Sequence, residues 1–351
     1  MPIVLSYEIL NVEVLNKIFE SDIISSNILI LELTEKAFMN KKAIFQNSKF
    51  VVMLALFCCA LWGSAFPCVK VGYELFQIKD SVSQILFAGF RFFLAGLLTF
   101  LIASIGNKKI IKIKKKSVPY IFAQGILQTT IQYVFFYLGL ANTTGSKASV
   151  INASNVFFSI ITAHFIMKNE RMTFRKTIGC VIGFLGVIIV NFVPNAIENG
   201  FTANGEGFIL ICSIAYGVST VTLKLISDKE NPAAITAFQL IFGGVVLLLI
   251  GFLSGGSLNG FNVKSIFLLL YLAMLSAAAF SIWTALLKYN PVGKVSVFGF
   301  TIPVFGTLLS SAILHENIFS WNNLISLCLV SVGIYIVNTS KNKTINKINN
   351  L

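Results

Sequence analysis

The two halves of this chain carry related sequence segments. Cys59–Lys70 and Ser213–Lys224 each contain an aromatic-Gly pair, and in both segments a lysine lies seven residues after the glycine. A second resemblance closes each half, with a slip of one residue between the copies. The matching segments are Phe157–Glu170 with Pro303–Glu316, and Gly186–Asn191 with Gly333–Asn338. A duplication of this size in an apolar chain is typical of transporters.

The composition places this duplication in a membrane. Apolar residues make up 56% of the chain, charged residues only 12%, and the mean hydropathy is +0.83. Soluble proteins carry about 25% charged residues. The apolar runs are about 20 residues long, which fits spanning helices rather than the shorter alternating strands of a barrel. We therefore predict an all-α integral membrane protein, because lipid satisfies no open backbone groups.

We predict ten transmembrane helices, five in each half, with short polar loops between them. The first five are Phe50–Val71, Val82–Ile105, Val118–Leu140, Gly145–Met167 and Phe174–Val193. The second five are Gly205–Ile226, Pro232–Leu253, Lys264–Leu287, Pro291–Leu314 and Ser320–Asn338. The domain prediction is accordingly a five-helix repeat over 50–193, a second over 205–338, and a basic cytoplasmic tail over 339–351.

The basic residues predict the orientation of these helices. Of the lysines and arginines in the loops and flanks, twenty fall on one side of the predicted membrane and four on the other. Cytoplasmic loops carry the excess of Lys and Arg. Both termini are thus predicted to be cytoplasmic, in a multi-pass protein of the plasma membrane. Because each half has an odd number of spans, the second repeat enters from the opposite side, and the repeats are inverted.

Residues 1–49 stand apart from this pattern as an N-terminal tail. The first thirty-eight hold six acidic residues against two lysines, and their longest apolar stretch is too short to span. Two interpretations are open: a cytoplasmic tail, or an upstream extension joined to a protein that begins at Met39. The second is favoured because Met39 and the lysines after it lead directly into the first span.

The pattern as a whole resembles the drug/metabolite transporter superfamily, EamA type. The features are Leu61-Trp-Gly-Ser, Arg91, Glu170 before Gly179…Gly186, Tyr216-Gly, and Pro303 with Glu316 before Gly333. The resemblance covers about residues 50–338 and implies two inverted five-helix repeats. It also implies movement of small organic metabolites, often outward. The chain departs from the family at Phe157, where proline is usual, so a hinge role there is not carried over.

Arg91 is the one full charge well inside a predicted span. Placing it at mid-bilayer costs about 3 kcal/mol, whereas the apolar residues of its helix contribute roughly 6 kcal/mol towards insertion. The helix can insert despite the arginine. Two roles are open: Arg91 contacts an anionic group in a polar cavity, or it ties helices together through backbone carbonyls.

Polar stripes follow the third and fourth spans. Gln124, Gln128 and Gln132 recur every four residues and share an arc of roughly 80° on an α-helix. Asn152, Asn155 and Ser159 share roughly 60°. Such stripes either line a wet cavity for a polar solute or hold helices together by hydrogen bonds.

Two aromatic residues and the basic loop complete the candidate contacts. Trp62 and Tyr216 hold equivalent positions in the two halves, where they either stack on a substrate or pack in the core. The Lys108–Lys116 cluster is expected to fix topology and to touch anionic lipid headgroups. The net charge of +13 resides in these membrane-flanking loops, so no nucleic-acid partner is predicted.

The residues favour transport over catalysis. All six cysteines fall in predicted spans, and neither a metal-ligand spacing nor a cofactor motif is present. Every acidic residue after the tail lies in a loop or at a helix end, which gives a carboxylate proton relay little support. The leading hypothesis is a secondary transporter of small organic metabolites, amino acids or related polar solutes, that works by alternating access. The alternatives are a lipid flippase and a membrane-embedded lipid-modifying enzyme.

Overall fold

The computed structural model describes residues 43–142, 148, 151–190, 202–313 and 321–339. Within these ranges the backbone is helical and contains no β-strand. The chain divides into two units, Met1–Asn47 and Ser48–Leu351. Only residues 43–47 of the first unit fall in the described part, and there the backbone N–H of Asn47 donates to the carbonyl of Ala43 in a helical turn. Residues 1–42 of the predicted N-terminal tail lie outside the described residues, residues 48–49 begin the first long helix, and the basic tail beyond 339 also lies outside the described residues.

Helix is present within each of the ten predicted ranges. The α-helices of the described part are α1 Ser48–Leu75, α2 Ser81–Gly106, α3 Val118–Gly125, α4 Gln132–Ala141, α5 Asn155–Ile166, α6 Phe174–Val190, α7 Phe208–Ser227, α8 Pro232–Leu253, α9 Val263–Tyr289, α10 Val292–Ser296, α11 Thr301–Ile313 and α12 Trp321–Thr339. A π-helical segment, Ile126–Ile131, joins α3 to α4, and a second, Ala203–Gly207, precedes α7. A 3₁₀ segment, Val297–Phe300, joins α10 to α11. The third and ninth predicted spans are therefore each interrupted in mid-course.

Five helical segments of the described chain are long and apolar enough to cross a membrane. They are Ser48–Leu75, Ser81–Gly106, Ala203–Ser227, Pro232–Leu253 and Val263–Tyr289. Each exceeds the roughly 20 residues that an α-helix needs to cover the hydrocarbon core. Asn155–Ile166, Val292–Gly306 and Cys328–Thr339 are apolar but shorter.

Equivalent helices of the two halves begin with the same kind of cap. Asp80 accepts hydrogen bonds from the backbone N–H and the hydroxyl of Ser83 at the start of α2. Asn231 accepts from the backbone N–H of Ala233 at the start of α8. Both side chains satisfy donors that the first helical turn leaves unpaired. The bonds from Ser83 also lower the pKa of the Asp80 carboxyl, because they favour its charged form.

The helices of one half pack on those of the other in two matching sets. Helix α1 packs on α9 and α11, and its repeat equivalent α7 packs on α4 and α5. The remaining equivalents pair with each other, α2 with α8 and α6 with α12. The contacts of α1 thus have counterparts in those of α7 with the halves exchanged.

The glycines of the duplicated aromatic-Gly pairs lie at two of these contacts. A Cβ on Gly63 of α1 would lie 2.7 Å from the Cβ of Phe305 and 2.9 Å from the backbone nitrogen of Gly306. A Cβ on Gly217 of α7 would lie 2.5 Å from the Cβ of Phe158 and 2.8 Å from the backbone nitrogen of Ser159. Both glycines therefore let a helix backbone of the opposite half approach closely. Phe158 and Phe305 hold the same place in these two contacts, one residue out of step with the sequence match, which pairs Phe158 with Val304.

Candidate functional site

A cavity of about 70 Å³ lies between the two halves. Six of the eight residues predicted to contact a substrate line it: Trp62, Arg91, Gln132, Asn152, Asn155 and Tyr216. The sequence did not single out the rest of the lining, which is apolar or aromatic: Ala65, Phe66, Val69, Tyr133, Phe136, Leu140, Phe280 and Ile302. The hydrophobic faces of these helices gave the only sequence signal for them. The cavity joins a few polar groups to an aromatic wall, as solute sites commonly do.

Arg91 brings a positive charge to this cavity from the middle of α2. Its side chain is 3% exposed, and its Nε donates a hydrogen bond of 3.0 Å to the hydroxyl oxygen of Ser276 on α9. The guanidinium carbon also lies 4.9 Å from the centre of the Phe92 ring, a cation–π distance. No described carboxylate lines the cavity. A buried charge without an opposite charge is costly, so Arg91 is the group most in need of an anionic partner.

Two further atoms of the lining are buried without a partner among the described residues. The indole nitrogen of Trp62 and the side-chain oxygen of Gln132 make no hydrogen bond there, although the two side chains are only 8% and 7% exposed. A buried polar atom left unpaired costs about 1–3 kcal/mol. One donor and one acceptor on residues that line the cavity are therefore unpaired among the described residues.

The ring of Trp62 is held firmly in place. It makes edge contacts with Phe280 and Trp283 of α9, at centroid distances of 5.5 Å and 5.0 Å. Its equivalent, Tyr216, lines the cavity from α7 and is also buried. The two aromatic residues that the sequence paired by position thus border one cavity.

The asparagines predicted in the fourth span lie on either side of a turn at the start of α5. Asn152 accepts a long hydrogen bond of 3.8 Å from the thiol of Cys212. The backbone carbonyl of Asn155 accepts from the hydroxyl of Ser159, which leaves the Asn155 side chain available to the cavity. Ser159 itself is buried in this local bond and does not line the cavity.

The π-helical segment divides the glutamine stripe. Gln132 lies just after it and reaches the cavity, whereas Gln124 and Gln128 bond to each other at 2.8 Å. Gln124 also accepts from the hydroxyl of Thr222 and donates to the carbonyl of Ser219, both on α7. A π turn holds more residues than an α turn and shifts the face that follows it. An α-helical projection does not include this shift, and it therefore places all three glutamines on one face.

A second, larger cavity lies where α3 and α7 meet the basic loops. Its volume is about 880 Å³, and its lining includes Gln124, Thr222, Lys114, Lys116 and Lys229. Gln124 is buried and borders a basic groove rather than the cavity of Arg91.

Glu170, which the family resemblance singled out without a role, acts in the structure at a helix start. Its two carboxylate oxygens accept from the backbone N–H groups of Val292 and Gly293, at 2.7 Å and 3.1 Å. A carboxylate is favoured there by the unpaired N–H groups and the positive end of the helix dipole. The equivalent Glu316 lies outside the described residues.

The described part of the chain holds no group of three or more metal-binding side chains. Its cysteines Cys58, Cys59, Cys68, Cys180, Cys212 and Cys328 are free thiols.

A comparison with protein families matches both halves of the chain. The model of the EamA-like transporter family covers residues 49–192 and 203–339. A protein of Archaeoglobus fulgidus named as an uncharacterised transporter is 29% identical over 82% of this chain and 97% of its own length. YoaV of Bacillus subtilis, also named as a transporter, is 26% identical over 81% of this chain and 96% of its own.

A Salmonella typhimurium relative is named "Probable amino-acid metabolite efflux pump" and is 23% identical over 81% of this chain and 93% of its own length. A crystal structure superposes with a TM-score of 0.68 over 83% of this chain and 99% of the other. At 14% identity, that superposition establishes a shared fold.

Proposed function

This chain belongs to the EamA-like transporter family, and from that premise we propose that it is a secondary active exporter of small organic metabolites. The relatives are named as transporters and not as enzymes, and the apolar helices make the chain a multi-pass membrane protein. The solutes we propose are amino acids or related polar compounds, moved outward across the plasma membrane. The name of the Salmonella typhimurium relative supports this solute class.

The observation that carries the proposal is the buried guanidinium of Arg91 in the cavity between the halves. The cavity offers it no described carboxylate, and free polar atoms of Trp62 and Gln132 stand in the same lining. A solute carboxylate would neutralise the charge and replace the water lost on burial. Of the two roles open from the sequence, contact with an anionic group is therefore favoured, with Ser276 orienting the arginine.

The exchanged helix contacts support an alternating-access mechanism. We propose ten transmembrane helices in two inverted five-helix repeats, with both termini in the cytoplasm, as the charge bias predicts. In such folds the halves exchange roles as a central site opens to one side and then the other. The close approaches at Gly63 and Gly217 support this, because in each repeat a glycine lets a helix of the other repeat approach closely.

The two glutamines outside the cavity have a place in the same cycle. Gln124 lines the basic groove, and Gln128 accepts a hydrogen bond from the side-chain amide of Gln124. We propose that they contact the solute when the site opens towards this groove, whereas Gln132, Asn152, Asn155 and Tyr216 contact it in the arrangement described here. The lysines of the groove and of the loop before α3 would face anionic lipid headgroups.

Transport by the purified protein in liposomes tests this proposal. Preloaded vesicles should exchange a labelled solute from a panel of amino acids and related metabolites, and Arg91→Gln should reduce the rate at least about tenfold, since bonds to charged groups contribute roughly 1.5–3 kcal/mol. Arg91→Lys, which keeps the charge, should retain more of it. Absence of exchange across the whole panel would contradict the proposal. Profiling of metabolites in cells with and without the protein identifies the solute independently.

A further inference from the structure

The charge of the cavity is unbalanced in a way that bears on which solutes fit it. The described carboxylates are Glu74, Asp80, Glu170, Glu206, Asp228 and Glu230. They lie at helix ends or in loops, and the lining includes none of them. The cavity therefore holds one fixed positive charge, that of Arg91, with no fixed negative charge from the described chain to offset it.

This imbalance ranks solutes by their own charge. A monoanion neutralises the site. A zwitterion brings an ammonium group that finds only neutral acceptors there and is repelled by the guanidinium. A cation adds a second like charge in a site where water is scarce. Resting on the proposed transport function, we infer which members of the proposed class are preferred: organic monocarboxylate anions related to amino acids, rather than the zwitterionic amino acids themselves or cations.

The rest of the lining indicates which hydrocarbon group such an anion would carry. Phe66, Phe136 and Phe280 supply apolar walls, and these suit an aromatic or branched hydrocarbon group. The free indole N–H of Trp62 adds a donor for a carboxylate oxygen. The free oxygen of Gln132 can accept one hydrogen bond, which a hydroxyl beside the carboxylate would donate. Apolar 2-hydroxy acids combine all three features.

An anionic substrate also supplies its own driving force. The cell interior is electrically negative, so outward movement of one negative charge is favoured by the membrane potential. At 100 mV this sustains a concentration ratio of about 50-fold at equilibrium. The anion therefore contributes a driving force of its own, and the described lining of the cavity holds no acidic side chain. Each turnover would carry one negative charge outward.

Three compounds with one carbon skeleton test the inference: phenyllactate (anion), phenylalanine (zwitterion) and phenylalaninol (cation). Calorimetry on the purified full chain should give affinities in that order, with phenyllactate at least about tenfold tighter than phenylalanine. In liposomes, valinomycin with high external potassium sets a positive interior. Phenyllactate should then accumulate up to about 50-fold at 100 mV, whereas phenylalanine should only equilibrate.

Matched variants separate the charge of the cavity from the net charge of the protein. Arg91→Gln should abolish the preference for phenyllactate over phenylalanine, and Arg91→Lys should retain it. Lys112→Gln removes the same charge from an exposed loop position and should change neither affinity nor accumulation. Thermal melting of each variant checks that it is folded.

The outcomes distinguish this inference from the transport proposal beneath it. If phenylalanine binds and moves as well as phenyllactate, or if phenyllactate accumulation does not follow the potential, the inference is overturned while transport stands. If neither these compounds nor a broad metabolite panel is bound or moved, the transport proposal itself fails.

Discussion

The Nε of Arg91 donates to the hydroxyl oxygen of Ser276 over 3.0 Å, and this bond joins helices α2 and α9 across 185 residues of sequence. The hydroxyl of Ser276 donates its hydrogen to the carbonyl of Leu272, so its oxygen remains available to accept a hydrogen bond from Arg91. The bond ties the guanidinium to α9, and the Arg91 side chain also lines the cavity. A single serine thereby orients the charge on which solute binding is proposed to depend.

Replacement of that serine should weaken solute binding. In Ser276→Ala, Arg91 loses a buried partner, and a bond to a charged donor contributes about 1.5–3 kcal/mol. We expect an affinity loss of about tenfold, a lower melting temperature, and partial recovery of melting by saturating solute, measured by calorimetry and thermal unfolding. Ser213→Ala is the matched control, because that buried hydroxyl donates to backbone carbonyls, among them that of Ile209. Equal losses of affinity in both variants would contradict a positioning role.

Trp62→Phe should separate binding from stability. The change removes the unpaired indole N–H but keeps an aromatic ring against Phe280 and Trp283. Loss of an unsatisfied buried donor offsets part of the cost of the smaller ring. We expect melting to change little and solute affinity to fall about fivefold to tenfold.

The control for this change is Trp283→Phe. The indole nitrogen of Trp283 is likewise buried without a partner in the described chain, but its side chain does not line the cavity. Its replacement should leave affinity unchanged. If the two variants bind solute equally well, the N–H of Trp62 has no part in binding.

The sequence predicted the apolar helices and singled out six of the fourteen residues that line the cavity, because apolar periodicity and isolated polar residues are strong signals in a membrane chain. It did not predict the separation of Gln132 from Gln124 and Gln128, since the π-helical segment leaves no sequence signature. Nor did it assign Glu170, whose partners are backbone N–H groups more than a hundred residues away. Contacts between distant backbone and side-chain atoms arise from tertiary packing alone.

Glu170→Gln should destabilise the protein. The carboxylate accepts from two backbone N–H groups at the start of α10, and the neutral amide forms weaker bonds there and gains nothing from the helix dipole. We expect a loss of about 1–2 kcal/mol, seen as a lower melting temperature in detergent. Glu74→Gln, at an exposed position in the last turn of α1, should leave melting unchanged. An unchanged melting temperature for Glu170→Gln would show that the cap contributes no stability.

Alanine at Gly63 and at Gly217 should have matching effects, because the two glycines hold equivalent close contacts in the two halves. Each new Cβ would lie within 3.0 Å of atoms of the facing helix, including its backbone. Overpacking of this kind costs about 1–3 kcal/mol and pushes the helices apart. We expect both variants to melt earlier and to lose most of their solute exchange in liposomes.

Gly106→Ala provides the control for these two variants. That glycine ends α2 and has no atom within 4 Å of an added Cβ, so melting and exchange should be unaffected. The prediction is that alanine has equal effects at Gly63 and at Gly217, since alternating access requires both contacts to be remade in each cycle. If alanine is tolerated at Gly217 but not at Gly63, the duplicated pair does not act as one symmetric interface, and the exchange of roles between repeats loses its structural support.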